Sequence, residues 1–207
     1  MTQGWSRPRP SLADGKMSKP TEVIVLCEDY RHSSFVLAYL RECRINCRIR
    51  PILSPRGRGS AFDWVVRNYP MQVNAYRLAK ARKHTWLIVL IDADTGTVAK
   101  RLRQLDLELG RAEEPRLREL NTGNEPIGRL IPRRNIETWI LALNAHAVNE
   151  IDDYKCTRAR EDWFPLIPIA AGAFFTLTRP NADMPEDLID SLRHGIDEMR
   201  RLHKLAP

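Results

Sequence analysis

The chain has 207 residues, of which 43% are hydrophobic, so it is long enough for one domain with a full core. No apolar run reaches about 18 residues, which excludes a membrane-spanning helix, and the first 20 residues lack the apolar core of a signal peptide. Lys and Arg total 33 against 26 Asp and Glu, and the net charge of +7 favours polyanionic partners, usually nucleic acid. We therefore expect a cytoplasmic protein with no membrane partner, whose residues 1–20 form a disordered basic tail.

Buried strands and amphipathic helices are predicted to alternate along the chain. The continuous apolar run EVIVLCE (22–28) is typical of a strand covered on both faces, and a helix around SSFVLAYLREC follows it. Further strands are predicted at RINCRIRPIL, TWLIVLID and IGRLIPRR, and further helices at 62–82, TVAKRLRQLDLEL and NIETWILALNAH. We expect Pro70 to break or kink the helix over 62–82 near Tyr69, because proline lacks the N–H that a helix needs. The chain closes with a helix that carries an apolar face of Leu188, Leu192, Ile196 and Met199.

This order of elements predicts the fold class. Alternating strands and helices indicate an α/β domain with a mostly parallel sheet flanked by helices. We assign residues 21–150 to this core and residues 151–207 to a C-terminal helical extension, whose first part has no clear pattern. Ligands of such sheets bind beyond the carboxyl ends of the strands, so a functional site is expected there.

Three acidic residues follow two of the predicted strands. Glu28 ends the first strand, and Asp92 and Asp94 end the third in LIVLIDADTGTV. If these strands are parallel, the three carboxylates meet at one edge of the sheet, where a hard divalent ion such as Mg²⁺ would neutralise their repulsion. Residues i and i+2 of a strand point the same way, so Asp92 and Asp94 would both face the ion if the extended geometry continues. The alternative is structural, since Asp is common in turns before helices and Glu28 would be a solvated loop residue.

The same acidic stretch has a second chemical interpretation. In HAD-type phosphatases, the first Asp of a D-x-D motif attacks a phosphoryl group and the second acts as acid and base. DADTGTV resembles that motif, and Asp152 with Asp153 would imitate its later acidic pair. However, Gly96 displaces Thr97 by one position from the HAD pattern, and the motif follows the third strand instead of the first. We therefore rank a phosphatase below metal-dependent chemistry on nucleic acid.

The two strand-end motifs also resemble a known family. VIVLCE followed by LIVLIDAD is similar to the Toprim domain of topoisomerases, bacterial primases and overcoming-lysogenisation-defect (OLD) type nucleases. That family carries a Glu after its first strand and an Asp-x-Asp after its third. With GRGS and IPRRNIETWILAL, the chain more narrowly resembles small stand-alone, OLD-like Toprim proteins found beside ATPases in phage-defence gene clusters. The resemblance covers roughly residues 22–145.

The resemblance implies a Rossmannoid, Toprim-like fold and a Mg²⁺-dependent endonuclease, with Mn²⁺ as a substitute, that acts on nucleic acid, most simply DNA. It also implies an ATPase partner in phage defence, and it leaves a homo-oligomer open. Asp92 and Asp94 would be metal ligands, Glu28 the acid/base carboxylate and a further ligand, and Glu137 a catalytic acid. Glu137 equally fits a structural role, because acids are favoured in the first turn of a helix. Asp29 stands where the family commonly has Gly, which leaves open a non-catalytic or partner-activated binding subunit.

Two basic segments are candidates for contact with nucleic-acid phosphates. The loop SPRGRGS carries Arg56 and Arg58 next to two glycines, which allow a backbone to approach a phosphate. A flexible loop with solvated charges fits the same composition equally well. The PRR segment carries Arg133 and Arg134 directly before Glu137, so either arginine would steer a phosphate if Glu137 belongs to the site.

The aromatic residues are predicted to build the core. Trp64, Trp86, Trp139 and Trp163 have apolar neighbours, which favours packing over base stacking. Tyr30 lies near Glu28, but no motif supports a topoisomerase-type covalent step through it.

Overall fold

The computed structural model describes residues 19–205 apart from 56, 58, 81, 114, 116–123 and 159. Its main elements are, in chain order, β1 (Glu22–Cys27), α1 (Tyr30–Glu42), β2 (Arg48–Leu53), α2 (Ala61–Lys80), β3 (Thr85–Leu90), α3 (Val98–Gly110), β4 (Ile127–Leu130), α4 (Ile136–Leu143), a short 3₁₀ helix (Arg160–Trp163), α5 (Leu166–Thr178) and α6 (Asp190–Lys204). The predicted alternation of strands and helices is present, and so is the closing helix. Within the described part of the chain, no helix is both long and apolar enough to cross a membrane.

The four strands form one sheet in the order β2-β1-β3-β4, and every neighbouring pair is parallel. Cys27 at the end of β1 is level with Leu53 of β2 and with Leu90 of β3, and Leu90 is level with Leu130 of β4. All four carboxyl ends therefore lie at the same edge of the sheet. The predicted α/β fold class with a mostly parallel sheet flanked by helices is confirmed.

Hydrophobic clusters lie on both faces of the sheet, and they bury β1 and β3 along their whole length. Alternate residues of β1 point to opposite faces: Val25 joins the cluster that contains Phe35 of α1, whereas Leu26 joins the cluster that contains Tyr69 of α2. Helices α1, α4, α5 and α6 cover the first face, and α2 and α3 cover the second. The helices of the C-terminal extension therefore share a hydrophobic cluster with the central strands.

Helix α2 continues through Pro70, so the helix is not broken there, while the other predicted outcome, a kink near Tyr69, stays a prediction. Proline leaves the carbonyl of Val66 without its helical hydrogen bond, at a cost of about 3 kcal/mol or more. The helix packs one side against the sheet, and each fully buried apolar side chain contributes about 1.5–3 kcal/mol, which offsets that loss. The buried residues on this side are Val65, Tyr69, Gln72, Val73 and Tyr76.

Gly195 of α6 packs against Trp139 of α4 so closely that a Cβ at this position would overlap the indole ring. Trp139 is fully buried and donates a hydrogen bond from Nε1 to Ser191 Oγ at 2.8 Å, which holds the ring in place. We expect Gly195→Ala to lower the free energy of unfolding by about 1–3 kcal/mol, measured by urea denaturation. Gly172 of α5 is the matched control, because a Cβ there meets no atom within 4 Å. Gly172→Ala should stabilise the protein by about 0.5–1 kcal/mol, and equal effects of the two substitutions would contradict this packing.

His203 of α6 is buried without a charged partner among the described residues. Its Nε2 lies 2.7 Å from the Tyr39 hydroxyl, and its ring meets Trp86 edge-on with centroids 5.1 Å apart. Burial lowers the pKa of His203 from 6.5 to about 4. Between these values the unfolded chain binds a proton that the folded chain does not, so stability decreases as the pH falls through this window.

We expect acidification from pH 7 to pH 5 to cost about 2 kcal/mol through His203, since each pKa unit corresponds to about 1.4 kcal/mol. In urea denaturation at the two pH values, His203→Gln should lose that much less stability than the wild-type protein. His146 is exposed, and His146→Gln should keep the wild-type dependence on pH. An equal loss in His203→Gln and in the wild-type protein would contradict this assignment.

Candidate metal site

Glu28 and Asp92 meet at the carboxyl edge of the sheet. Because β1 and β3 pair in register, the residues that follow them lie side by side, and Glu28 Oε1 accepts a hydrogen bond from the Asp92 backbone N–H at 2.7 Å. The Asp92 side chain is fully buried. Burial and the adjacent charge of Asp92 raise the pKa of Glu28 to about 7. The two carboxylates therefore repel each other in a place where solvent screens them little.

His32 connects Asp92 to the first turn of α1. Asp29 caps this helix, since its Oδ1 accepts hydrogen bonds from the backbone N–H groups of Arg31 at 2.8 Å and of His32 at 3.1 Å. The buried imidazole places Nδ1 2.7 Å from Asp29 Oδ1 and Nε2 2.9 Å from Asp92 Oδ1. Burial alone would lower the pKa of His32, but the charge of Asp92 and the hydrogen bonds to both carboxylates raise it well above its usual range. Asp29 is thus a helix cap and the partner of His32.

Glu28, His32 and Asp92 are close enough to hold one metal ion. One donor atom from each lies within 4.8 Å of the other two. Asp92 Oδ2 is buried and has no hydrogen-bond partner among the described residues, and a bound cation would satisfy this oxygen. The two carboxylates suit Mg²⁺ or Mn²⁺, whereas both nitrogens of the imidazole already face carboxylate oxygens, so His32 would orient Asp92 instead of binding the ion. The residues present therefore fit a divalent cation.

Asp94 does not belong to this three-residue group. Strand β3 ends at Leu90, and Asp94 has a φ of +51° and forms an isolated antiparallel bridge with Arg134. The extended backbone assumed for Asp92 and Asp94 therefore does not continue to Asp94. That the two side chains face the same ion stays a prediction. The Asp94 side chain is 49% exposed at the rim of the site. Its role as a metal ligand stays a prediction.

Two cations face the acids from other elements. Lys155 Nζ lies 3.3 Å from Asp92 Oδ2, as an ion pair without hydrogen-bond geometry, and 3.9 Å from Asp94 Oδ1. Burial lowers the pKa of Lys155, but the nearby carboxylates outweigh burial and raise it. Arg101 of α3 lies 3.4 Å from Asp94 Oδ2, and its guanidinium stacks 3.5 Å from the centroid of the Phe62 ring. These contacts give the acidic site a cationic rim.

Glu137 lies at the second position of α4, which Asn135 caps by accepting a hydrogen bond from the Thr138 N–H at 3.2 Å. The side chain is buried and forms an ion pair with Arg31 of α1. The Arg31 guanidinium also lies 5.4 Å from the centroid of the Trp163 ring. Because Arg31 directly follows the Glu28–Asp29–Tyr30 segment, it connects Glu137 to the metal site. The structure thus gives Glu137 a buried partner, and a catalytic role for it stays a prediction.

Two of the four arginines predicted to contact phosphate form ion pairs with acidic side chains. Arg133 pairs with Glu150 at 3.6 Å, and Arg134 pairs with Asp153 at 3.4 Å. Both therefore lie beside α4 with acidic partners already in place. The other two, Arg56 and Arg58, lie outside the described residues.

Comparison of the chain with protein-family models, with curated proteins and with solved structures found no match. The Toprim interpretation therefore depends on the motifs at Glu28 and at Asp92-x-Asp94. The geometry adds residues that sequence reasoning missed, namely His32, Arg101 and Lys155. His32 had a usable signal, since it lies three residues after a helix-capping Asp and one helical turn after Glu28. Lys155 had none, because it comes from the segment without a recognisable pattern.

A cleft of about 460 Å³ opens beside the metal site. Glu28, Tyr30 and Arg31 line one side, and Phe164 also contributes to the lining. The remaining lining residues include Leu53, Ser54, Pro55, Gly57, Gly59 and Ala61. Its size is within the range of about 300–1,000 Å³ that is usual for small-molecule sites. The cleft lies beyond the carboxyl ends of β1 and β2, where ligands of parallel sheets bind.

Proposed function

We propose that the chain is a metal-dependent nuclease that cleaves phosphodiester bonds in nucleic acid. The observation that carries this proposal is the buried group of Glu28, His32 and Asp92 at the carboxyl edge of a parallel sheet. Asp92 Oδ2 has an ion pair with Lys155 but no hydrogen-bond partner among the described residues. The net charge of +7 supports a polyanionic substrate. The resemblance of the strand-end motifs to Toprim nucleases supports the same reaction.

Each residue of the group has a defined task in this reaction. Mg²⁺ or Mn²⁺, when bound, would supply Lewis-acid polarisation of the scissile phosphate. Asp92 would hold the ion through Oδ2, while His32 fixes its Oδ1 and thereby its orientation. Glu28 Oε1 is engaged by the Asp92 N–H, so its second oxygen is left for the ion or for a proton. A carboxyl group with a pKa of about 7 can both accept and release a proton at neutral pH.

The rim cations complete the proposed site. Lys155 and Arg101 lie next to the acids, where they would pair with phosphate oxygens once an ion neutralises Asp92 and Asp94. The resemblance to small OLD-like proteins further suggests DNA as the substrate and an ATPase partner in a bacterial phage-defence system. DNA as the substrate and the ATPase partner are parts of the proposal that depend on this resemblance.

A second candidate is a nucleic-acid- or ATPase-binding subunit whose site is silent or activated by a partner. The position of Lys155 favours it, because this ammonium group already lies between Asp92 and Asp94 and balances part of their charge. In that case the acidic group would be satisfied without a metal ion.

Incubation with supercoiled plasmid tests the nuclease against this alternative. Wild-type protein should nick the plasmid in Mg²⁺ or Mn²⁺ and stop when EDTA is added. Salt-sensitive DNA binding without nicking, in any divalent ion, would contradict the nuclease and favour the binding subunit. A parallel incubation with single-stranded RNA shows whether the protein cleaves RNA or DNA. Turnover of a small phosphomonoester in place of plasmid would favour the phosphatase, although Asp92 is buried and bonded to His32, which opposes nucleophilic attack.

A further inference from the structure

Two aromatic side chains next to the metal site are unusually exposed. Tyr30 is 53% exposed and Phe164 is 43% exposed, and they are the aromatic members of the large exposed hydrophobic residues in the described part of the chain. Their rings meet edge to face with centroids 6.1 Å apart. By contrast, Trp139 and Phe174 of the core have stacked rings 5.9 Å apart and are fully buried. The Tyr30–Phe164 pair therefore presents ring surface to solvent that ordinary core packing would bury.

The aromatic pair forms part of the cleft that also contains Glu28. Tyr30 is the first residue of α1, two positions after Glu28, and Phe164 lies between the 3₁₀ helix and α5. Gly57 and Gly59 also line the cleft, with φ values of +73° and +78°, and a Cβ on either would meet no atom within 4 Å. The cleft thus combines two exposed rings with backbone of Gly57 and Gly59 that carries no side chain.

We propose that Tyr30 and Phe164 stack an unpaired base of a strand whose phosphate lies at the Glu28–Asp92 site. This inference rests on the proposed function, and it makes the substrate single-stranded or locally unpaired nucleic acid. Bases of an intact duplex stack on each other and expose only their edges in the grooves, so only an unpaired base can offer its face to the pair. Stacking tolerates any base because each has a π face, so we expect little sequence preference from this contact.

Equilibrium binding in Ca²⁺ tests this inference by affinity alone, because Ca²⁺ takes carboxylate ligands and would neutralise Glu28 and Asp92 beside the phosphate. Fluorescence anisotropy would compare oligo(dT) of about 12 nucleotides with an abasic oligomer of the same length, which carries the same phosphates but no bases. Wild-type protein should bind oligo(dT) roughly 5- to 150-fold more tightly, the range that corresponds to stacking of one base. The double variant Tyr30→Leu/Phe164→Leu keeps apolar bulk without rings, and it should lose most of this preference while its affinity for the abasic oligomer stays the same. Oligo(rU) in a parallel series distinguishes an RNA strand from a DNA strand.

Leu107→Ala is the matched control, since Leu107 of α3 is 62% exposed away from the cleft and should leave the preference intact. Thermal melting of each variant checks the fold, and the single variant Tyr30→Leu replaces the double variant if the latter unfolds. Equal affinity of wild-type protein for the two oligomers, or no binding to either, would overturn the stacking site. A base preference that the leucine variant retains would also overturn it. A preference that is lost on substitution, in a protein that cleaves neither DNA nor RNA, would sustain the stacking site and contradict the nuclease.

Discussion

Replacing Asp92 with asparagine is expected to reduce metal-dependent cleavage by at least about 100-fold. Even residues that only orient metal ligands cost about 10- to 100-fold when they are replaced, and Asp92 would contact the ion directly. The substitution turns one buried carboxylate oxygen into an amide donor and removes the negative charge beside His32 and Lys155. The measurements are the rate of plasmid nicking and the increase in melting temperature on addition of Mn²⁺. The metal-induced increase should disappear together with cleavage, because an ion that binds only the folded protein stabilises it.

Glu28→Gln should have the same two effects, since it keeps an acceptor for the Asp92 N–H and removes only the charge. Asp183→Asn is the matched control, because Asp183 is exposed in the segment between α5 and α6 and should leave both measurements unchanged. Nicking and metal stabilisation by Asp92→Asn at the wild-type level would rule out the proposed site.

Replacing Arg31 with methionine is expected to lower the free energy of unfolding by about 3–5 kcal/mol. Glu137 is 1% exposed, and Arg31 is its ion-pair partner at the junction of α1 and α4. The second carboxylate oxygen of Glu137, Oε2, has no hydrogen-bond partner among the described residues. Loss of Arg31 would therefore leave the buried charge of Glu137 uncompensated. Urea denaturation at neutral pH measures the change.

The double variant Arg31→Met/Glu137→Met should recover most of that loss, because a buried ion pair is often replaced by apolar residues of similar volume without net cost. A double variant no more stable than Arg31→Met would contradict the ion-pair explanation. The double variant also separates the two roles considered for Glu137. If it is as stable as the wild-type protein but does not nick DNA, then the pair takes part in the reaction and not only in the fold.

The sheet could be predicted from sequence because its signals are local. The unbroken apolar runs at 22–28 and at TWLIVLID indicated strands buried on both faces, and their parallel pairing follows from the helices between them. That pairing placed Glu28 beside Asp92, as expected from the two strand ends. The helix caps are local signals as well, because Thr and Asn are preferred residues at this position, and Thr97 and Asn135 each accept a hydrogen bond from a backbone N–H in the first turn of their helix.

The rest of the site depends on features that a local pattern does not contain. Asp94 lies outside the group of Glu28, His32 and Asp92, and its backbone adopts a left-handed conformation, which no periodicity reports. Lys155 reaches the site from a segment without regular structure, so its approach is set by tertiary packing alone. Pro70 was expected to break or kink α2, but the helix continues through Pro70, and burial of the helix against the sheet offsets the lost hydrogen bond. Sequence reasoning was thus most accurate for strand ends and least accurate where the chain leaves regular structure.

Anomalous diffraction from crystals soaked in Mn²⁺ would test the central claim most directly, because it locates the ion independently of any activity. The proposed site predicts an anomalous peak about 2.0–2.6 Å from carboxylate oxygens of both Glu28 and Asp92, with Lys155 displaced from Asp92. Crystals of Asp92→Asn grown and soaked in the same way should lack that peak. A wild-type crystal without a peak at these carboxylates, and with Lys155 still paired to Asp92, would contradict the metal site and the nuclease proposed from it.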